Sequence, residues 1–506
     1  MILKPTGEDY KIIGYYLGKI IVSLGILMLI PFALAFVYSE FKPAIDFLLS
    51  ISLTLSIGSI LIVINYTKKD LATMHAMVVA SISWLAAMFI SAIPLYFSGH
   101  YGSYLDACFE AMSGYATPGL TLVNDLDHMA YSYNFWRHLT MFIGGQGIVV
   151  IALTFLFRGT AGAFKMYIGE ARDEKILPNV IETARFIWLV SLVYLVLGST
   201  ALSISGVLGG LKIPKAIFDS VCIFIAAWDT GGFAPQSQNI LFYHNFPFEI
   251  ITVSLMVLGA VNFALHYAVW TGNRRELYRN IEIMTFFITM AVTLTITIWG
   301  FVGKDIYINS ISFFRKTFYQ LISGHTGTGY ATIYSRQFVN EWGPLSMLGL
   351  GMLGITLAMA IGGSVCSTTG AIKLLRIGVM YKALRQDIKK LVLPETAVLV
   401  QKIHHIKDLI LEDRHVRASA IILISYITLY LIGTIVGMLC GYSLTEASFE
   451  SVSAAANVGL SCGITSPAMP EILKIVYILQ MWAGRLEFIS IFVLGGMVLA
   501  ALKGKK

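Results

Sequence analysis

The sequence predicts an all-α polytopic membrane protein, in which four concatenated span–loop–span repeats stand in a pseudo-fourfold arrangement after two extra N-terminal spans. Three observations favour this fold class. The 506-residue chain is 57% hydrophobic and 13% charged, whereas soluble globular domains carry about 25% charged residues. Its apolar residues gather in stretches of about 20, the length that crosses a bilayer as a helix. Short apolar segments that end in glycine recur between pairs of those stretches.

Ten stretches are long and apolar enough to cross a bilayer. The first, from Ile12 to Val37, exceeds the apolar core of about 7–15 residues of a signal peptide, so we expect it to be retained. The eighth is interrupted by GGSVCSTTG at 362–370. The stretches lie near residues 14–37, 44–65, 72–98, 135–157, 184–207, 247–271, 281–303, 342–379, 417–439 and 473–501.

Lysine and arginine set the expected orientation of the spans. They concentrate in every second loop and at the C terminus, for example at Lys68, Lys69, Arg274, Arg275, Arg279, Lys503, Lys505 and Lys506. Because such residues favour the cytoplasmic side, we expect both termini to be cytoplasmic. The net charge of +7 is then explained by the basic residues that set membrane orientation. We expect the protein to have the lipid bilayer, and no nucleic acid, as a partner.

Segment 380–416 is the one sizeable polar stretch. Its apolar residues recur with helical period among mixed charges, which favours an amphipathic connector on the membrane surface or a docking surface for a cytoplasmic partner. We interpret His404, His405 and His415 as part of a solvated connector and not as metal ligands. The five cysteines have no paired or metal-type spacing, so we expect buried free thiols.

Four short apolar segments, near 104–114, 216–228, 311–324 and 445–456, do not reach spanning length. They end in SGYATPG (113–119), AAWDTGG (226–232), SGHTGTG (323–329) and SAAANVG (453–459), and a large apolar residue follows each final glycine. Self-similarity at a long period signals a repeated architecture. Since all four loops share one membrane side, the repeats are parallel and surround one axis.

These segments divide the chain into five expected units. Residues 1–70 hold the two N-terminal spans, and the four pore repeats occupy 71–175, 176–280, 281–415 and 416–506. The third repeat includes the interrupted span and the cytoplasmic connector.

Loops at membrane depth must be buried in protein or line a water-filled cavity. Four such loops on one axis would present rings of carbonyls, which can replace the hydration shell of an ion. The C-terminal ends of half-helices favour a cation, and hard oxygen ligands suit an alkali cation. The alternative is that the glycines only allow helices to pack closely. One loop alone would favour that alternative, and four equivalent loops favour a selectivity filter.

Six segments of the chain resemble the Trk/Ktr/HKT potassium transporter superfamily, and in particular its TrkH-type subunits. They are FEAMSGYATPGLT (109–121), FWRHLTMFIGGQGIVVIAL (135–153), WDTGGFAPQS (228–237), SGHTGTGYAT (323–332), IGGSVCSTTGAIKLLR (361–376) and MWAGRLEFISIFVL (481–494). The two extra N-terminal spans match the TrkH type and not the shorter Ktr form. The resemblance covers nearly the whole chain.

The resemblance implies potassium uptake across the cytoplasmic membrane, a homodimer and a cytoplasmic ring of the TrkA type. The regulatory nucleotide, ATP/ADP or NAD, would bind that partner, and this chain would carry no cofactor of its own, only K⁺ as the transported ion. The implied filter residues are Thr117, Pro118, Gly119, Thr230, Gly231, Gly232, Gly327, Thr328, Gly329, Asn457, Val458 and Gly459. A glycine at all four loop ends is similar to the K⁺-selective form.

Two residues depart from the family pattern. Pro118 stands where Thr or Val is usual; it has no N–H to donate but keeps its carbonyl. Asp229 stands where Asn is common. Its carboxylate either raises the local cation concentration or lies neutral and hydrogen-bonded behind the filter.

The interrupted eighth span predicts a gate. Its small polar residues would form a loop under the filter, a role that the resemblance supports; the alternative is a simple kink. The gate residues are Gly362, Gly363, Ser364, Cys366, Ser367, Thr368, Thr369, Gly370 and Arg485. A mid-membrane arginine costs about 2.5–3.5 kcal/mol, so Arg485 must face water, a carbonyl or an acid. It is either a positive barrier to cations or a partner in a packing ion pair.

Other buried charges have structural interpretations. We expect Glu110 and Glu450 to brace the filter and Arg137 to anchor the start of its span.

The main function hypothesis is a channel-like potassium translocation subunit. A Na⁺- or H⁺-coupled carrier would need a second ion site, for which Asp229 and Glu487 are candidates, and a Na⁺-permeable channel would need an altered filter. No catalytic motif indicates an enzyme.

Overall fold

The computed structural model describes residues 4–148, 168, 170, 180–301, 310–333, 348–394 and 399–504. The described chain is almost entirely helical. Its helices are α1 (Gly7–Leu27), α2 (Leu29–Val37), α3 (Phe41–Ile64), α4 (Thr73–Phe97), α5 (Tyr104–Ala116), α6 (Tyr131–Gln146), α7 (Val180–Leu208), α8 (Ile213–Trp228), α9 (Phe246–Ala260), α10 (Phe263–Trp270), α11 (Glu276–Arg279), α12 (Ile281–Phe301), α13 (Ser310–His325), α14 (Leu348–Ala360), α15 (Leu374–Val392), α16 (Asp413–Leu439), α17 (Leu444–Ala455), α18 (Glu471–Arg485) and α19 (Ile489–Lys503).

The two N-terminal spans form a closely packed hairpin of helices. A Cβ atom on Gly18 of α1 would lie 2.9 Å from the carbonyl oxygen of Gly58 in α3. Small residues at such crossings let membrane helices approach closely, which strengthens their van der Waals contact. The start of α1 is tied to the first repeat, since Asp9 Oδ1 lies 2.8 Å from Nε2 of the buried His75 in α4.

The four short segments that the sequence predicts as half-helices are the helices α5, α8, α13 and α17, which we name the pore helices. In each repeat the pore helix follows a long first span, which is α4, α7, α12 or α16. Among the described residues, six helices are long and apolar enough to cross a membrane, and two bent pairs raise that number to eight. The polytopic helical architecture is therefore confirmed.

In each repeat the first helix of the second span ends inside the expected stretch, at Gln146, Ala260, Ala360 or Arg485, which the sequence predicted only for the third repeat. Helices α9 and α10 meet at 101°, and α18 and α19 meet at 112°, so continuous spans at 247–271 and 473–501 were wrong. In the first repeat α6 ends at Gln146, and the rest of the stretch to 157 lies outside the described residues. In the third repeat a loop at 361–373 separates α14 from α15.

A repeated sequence precedes three of these breaks. MFIG (141–144), MVLG (256–259) and MWAG (481–484) each end in a glycine that touches the carbonyl at the end of its own repeat's pore helix. A Cβ atom at Gly144, Gly259 or Gly484 would lie 1.8, 2.0 or 1.9 Å from that oxygen. The glycine lets the second span pass the pore helix, and LAMA (357–360) takes the same place in the third repeat.

The polar connector contains a β-hairpin that helical periodicity did not predict. Strands β1 (Lys402–His405) and β2 (Lys407–Ile410) pair antiparallel, with His404 opposite Asp408. Two of the three histidines are less solvated than expected: His405 is buried, and His404 Nε2 lies 3.0 Å from Glu276 Oε2, whereas His415 is half-buried. Within the described residues no group of side chains suits a metal ion.

The cysteines agree with the expectation of free thiols. Cys108, Cys222, Cys366 and Cys462 are buried, and Cys440 is half-buried.

Candidate functional site

The four glycine-ended loops share one backbone conformation. In each loop the first and third filter residues have positive φ, and the residue between them does not. The φ values are 66° and 74° at Thr117 and Gly119, 50° and 69° at Thr230 and Gly232, 72° and 81° at Gly327 and Gly329, and 56° and 97° at Asn457 and Gly459. Left-handed geometry costs a non-glycine residue about 1–2 kcal/mol. Three loops bear that strain at their first residue, as functional sites often do.

The loops close into a ring. A Cβ atom on Gly119 would lie 1.9 Å from the carbonyl oxygen of Gly231, and one on Gly232 would lie 2.1 Å from that of Thr328. The series continues from Gly329 to Val458, at 2.0 Å, and returns from Gly459 to Pro118, at 1.6 Å. Each terminal glycine therefore packs on the neighbouring loop, against the carbonyl of the residue that precedes that loop's own terminal glycine. The contacts run from repeat one to two, two to three, three to four, and four back to one. Only glycine fits at these four positions.

The pore helices direct their C-terminal ends at this ring. Ser103 caps α5 and Ser443 caps α17 at the far, N-terminal ends, each through a reciprocal capping box. The end of a helix that carries free carbonyls has partial negative charge. Four such ends around one axis favour a cation at its centre.

Pro118 removes one hydrogen bond from the ring and leaves the loop conformation intact. In the other repeats the central N–H of Gly231, Thr328 or Val458 donates to a pore-helix carbonyl at 2.7–2.9 Å. Proline has no such donor, so the Ser113 carbonyl keeps only the longer bond from Gly119 N–H at 3.5 Å, which Gly232 and Gly329 also make in their repeats at 3.3 and 3.4 Å. The Pro118 carbonyl keeps its place against Gly459.

Glu110 and Glu450, nine residues before the terminal glycines of their repeats, brace the chain that leaves the filter. Glu450 Oε1 accepts N–H bonds from Cys462 and Ile464, both at 3.1 Å. Glu110 Oε2 accepts the N–H of Leu122 at 3.1 Å. Both carboxylates are buried behind the ring, as the bracing interpretation predicts.

Arg137 is part of the same brace, which corrects its interpretation as a span anchor. Its guanidinium is fully buried and lies 2.7 Å from Glu110 Oε1. It also packs over the ring of Phe233, 4.2 Å from the centroid. Phe233 follows the filter of the second repeat, so the pair joins two repeats. Sequence spacing gives no sign of this pairing.

We expect Arg137→Met to destabilise the protein by about 3–5 kcal/mol, because it leaves the Glu110 carboxylate buried without its cation. Thermal unfolding in detergent measures the effect. Arg315→Met is the matched control: Arg315 pairs with Glu249 but its side chain is 38% exposed, and exposed pairs contribute about 1 kcal/mol or less. Equal losses in both variants would contradict a bracing role for Arg137.

Asp229 lies behind the ring and is fully buried. Gln146 Nε2 donates to its Oδ1 at 2.8 Å, and Ser191 Oγ donates to Gln146 Oε1 at 3.0 Å. Trp228 Nε1 donates to the same hydroxyl at 3.0 Å. The side chain belongs to a buried network that joins the filter of repeat two to α6 and α7, which favours a hydrogen-bonded position behind the filter.

For Asp229→Asn we expect the K⁺ conductance at low K⁺ concentration to change by less than about twofold, because Asn keeps an acceptor for Gln146. A carboxylate facing the ion at about 4 Å would contribute at least about 1 kcal/mol, or about fivefold, to the local concentration of any monovalent cation. Planar-bilayer recordings measure the conductance, with Asp125→Asn on an exposed loop as the control for surface charge. A fivefold or larger fall confined to Asp229→Asn would place its charge in the pathway.

Directly below the filter, the loop 361–373 forms an ordered wedge between repeats. Thr368 Oγ1 lies 3.0 Å from the Trp228 carbonyl and 2.9 Å from that of Gly259. It also lies 3.2 Å from Thr230 Oγ1 in the filter. A Cβ atom on Gly370 would lie 2.5 Å from the Ala456 carbonyl. The loop thus fills the broken end of α9 and touches the filters of repeats two and four.

The loop is held internally by its small polar side chains. Gly362 N–H donates to the Ile372 carbonyl at 3.0 Å, and Gly363 N–H donates to Thr369 Oγ1 at 3.1 Å. Ser367 Oγ donates to the Ser364 carbonyl at 2.6 Å. Cys366 is buried with a φ of 54°. These bonds define a folded loop, so the alternative of a simple kink is wrong.

Arg485 fastens this loop to the first repeat. Its guanidinium donates to the Thr368 and Thr369 carbonyls on one side, and to those of Gly144 and Gly145 at 2.7 and 3.1 Å on the other. Gly144 and Gly145 lie in the last turn of α6, where helix carbonyls can accept further hydrogen bonds. The sequence left open water, a carbonyl or an acid as the partner, and the structure places carbonyls there.

The space around Arg485 is small and lined by charges of both signs. A cavity of about 20 Å³ is lined by Arg485 and Lys373 and by the carboxylates of Glu170 and Glu487, which is room for about one water molecule. Glu487 forms ion pairs with Arg376 and, at 3.9 Å, with Lys373. The carboxylate of Glu487, which the sequence suggested as a candidate second ion site, is therefore already paired with two cations.

The comparisons with known proteins agree with this architecture. A family model described as TrkH, cation transport protein, matches residues 45–500. The chain is 32% identical over 499 residues to an uncharacterized cation transporter of Methanocaldococcus jannaschii, with 97% of each chain covered. It is 27% identical over 503 residues to the Trk system potassium uptake protein TrkG of Escherichia coli, with 96% of this chain and 97% of TrkG covered.

A solved structure shares the fold. The crystal structure of the potassium transporter TrkH from Vibrio parahaemolyticus superposes with a TM-score of 0.79 at 21% identity, covering 96% of this chain and 98% of that one. This likeness shows the fold, and the family model, which matches most of the chain, shows the family. The chain belongs to the TrkH family of cation transport proteins.

Proposed function

We propose that this protein conducts potassium ions across the cytoplasmic membrane for potassium uptake. The observation that carries the proposal is the closed ring of four loops, in which each terminal glycine packs on a carbonyl of the next repeat. Relatives that match 96% of this chain, the Trk system potassium uptake proteins TrkG and TrkH of Escherichia coli, support K⁺ as the ion.

In this proposal the carbonyls of the twelve filter residues, 117–119, 230–232, 327–329 and 457–459, replace the hydration shell of the ion. Because backbone carbonyls carry only partial charges, they bind the ion less tightly than a carboxylate would, and the ion can dissociate from the filter. The four pore-helix ends add their negative partial charge. A membrane potential of 100 mV then supplies about 2.3 kcal/mol per ion, which drives inward accumulation without a second substrate.

The gate in this proposal is the loop 362–370 together with Arg485. Among the described residues the cavity beside them has room for about one water molecule, and we infer that this conformation is closed to hydrated K⁺. Opening requires the loop to leave the carbonyls of Trp228 and Gly259, and Arg485 to release those of Gly144 and Gly145. We infer that a cytoplasmic nucleotide-binding subunit of the TrkA type drives this movement, that both termini are cytoplasmic and that the chain works as a homodimer.

The test is the bi-ionic reversal potential, K⁺ against Na⁺, of the purified chain in a planar bilayer. We expect reversal near the K⁺ equilibrium potential. Reversal near zero would make the chain a Na⁺-permeable channel. A reversal potential that shifts with a Na⁺ or H⁺ gradient at constant K⁺ would make it a coupled carrier. The measurement is repeated with the cytoplasmic partner so that a closed gate is distinguished from an absent pathway.

A further inference from the structure

A groove of about 390 Å³ opens between α12, α15 and the β1–β2 hairpin, away from the filter and the gate. Its deeper part is apolar and includes Met284 and Ile288, whose side chains are 54% and 59% exposed. These residues belong to a membrane span. The groove runs along α12 from Ile281 to Thr289, about 12 Å at 1.5 Å per residue. It is therefore open sideways to the acyl chains of the bilayer.

The mouth of the groove carries three cations, Arg279, Lys382 and Lys402. None of them forms an ion pair with a carboxylate in the part of the chain that the structure describes. One anion, Asp408, shares the mouth, and its Oδ1 lies 2.7 Å from Nδ1 of His404. The mouth keeps an excess of positive charge at the end of α12 that the Lys/Arg pattern assigns to the cytoplasmic side.

We propose that this groove binds one anionic phospholipid of the cytoplasmic leaflet. Its phosphate lies among Arg279, Lys382 and Lys402, and an acyl chain follows Met284 and Ile288. Basic pockets between membrane helices on the cytoplasmic side suit such head groups. A soluble protein could reach the cations but not the apolar part, which lies within the span. The combination of both parts in one groove favours a lipid over a protein partner.

The groove is lined by the two helices that hold the gate. On α12, Glu282 Oε1 accepts the N–H of Val365 in the gate loop at 2.7 Å, and Thr289 Oγ1 lies 2.8 Å from His325 Nε2 at the end of pore helix α13. Helix α15 begins where the gate loop ends. A bound lipid would fix α12 against α15, so its removal would change basal K⁺ flux. This consequence for flux rests on the proposed function, whereas binding itself does not.

Native mass spectrometry of the full chain, released from nanodiscs of 3:1 phosphatidylcholine and phosphatidylglycerol, tests the binding. We expect retained phosphatidylglycerol to be about tenfold lower in the triple variant Arg279→Gln, Lys382→Gln, Lys402→Gln. The matched control removes three exposed cations from α15 outside the groove: Arg385→Gln, Lys389→Gln, Lys390→Gln. Met284→Trp, which fills the apolar part and keeps the charges, should also lower retention.

Several results would overturn the proposal. One is equal retention in the wild type and the groove triple variant, and another is an equal loss in the α15 control. Displacement of the lipid by millimolar inorganic phosphate would show a phosphate site without an acyl-chain site. Absence of bound lipid, together with loss of the cytoplasmic subunit in the triple variant, would assign the mouth to a protein. If retention follows the expectation while flux does not respond to lipid, binding stands and only the link to the gate fails.

Discussion

Replacing Gly329 by serine should lower the K⁺/Na⁺ permeability ratio by at least about tenfold, equivalent to 1.4 kcal/mol. A Cβ atom at this position would lie 2.0 Å from the Val458 carbonyl oxygen, and the residue has a φ of 81°. The side chain must therefore displace a carbonyl of the neighbouring repeat, and it adds about 1–2 kcal/mol of backbone strain. We expect the variant to fold and still lose selectivity, because the substitution leaves the pore helices and their bracing contacts in place. Bi-ionic reversal potentials measure the ratio.

The matched control is Gly324→Ala, five residues earlier in the same segment. A Cβ atom there would lie 3.4 Å from Met359, an ordinary contact, and no positive φ is required. This variant should keep the wild-type ratio. If Gly329→Ser folds, inserts and still discriminates K⁺ from Na⁺ as the wild type does, the loop 327–329 is not part of the filter.

Replacing Arg485 by methionine should raise basal K⁺ flux, without any partner, by about tenfold or more. The substitution removes the donors that join the Thr368 and Thr369 carbonyls to those of Gly144 and Gly145. Hydrogen bonds from a charged group contribute about 1.5–3 kcal/mol each, so losing one already favours release of the loop by tenfold. It also removes a positive charge from the cavity below the filter. Flux of ⁸⁶Rb⁺ into proteoliposomes measures the effect.

Two further variants separate the charge of Arg485 from its bonds. Arg485→Lys keeps the charge but cannot reach both pairs of carbonyls with one ammonium group. If the charge is the barrier, this variant stays closed; if the bonds fasten the loop, it leaks. Arg315→Met, which removes a partly exposed arginine near the N-terminal end of pore helix α13, ten residues before the end of that helix, should leave flux unchanged. Wild-type flux in a folded Arg485→Met protein would refute the gate assignment.

Much of this architecture was predictable because its signals repeat. Four glycine-ended segments in equivalent positions identify the pore helices and the loops between them, although any one of them is weak. The glycine-rich segment 362–370 is so poor in helix-forming residues that an interruption of its span was foreseeable. The carbonyl partners of Arg485 were one of the options that a buried arginine leaves open.

Other features depend on contacts that hydropathy does not record. The stretches that contain the breaks at 261–262 and 486–488 are still apolar enough to be read as single continuous spans. The glycine that precedes each break, Gly259 or Gly484, was visible in the sequence. The Arg137–Glu110 pair joins residues 27 positions apart on different helices. The hairpin at 402–410 was hidden because KIHH and KDLI are too short to show strand periodicity.

The closed order of the ring has a consequence for how the protein is made. Gly459 packs on Pro118, and Lys474 Nζ lies 2.6 Å from Asp106 Oδ1 across 368 residues of sequence. The contact between the first and fourth repeats can therefore form only after the fourth repeat has been synthesised, since chains emerge N-terminal end first. A chain that ends before residue 416 lacks the fourth repeat, so it cannot close the ring of filter loops.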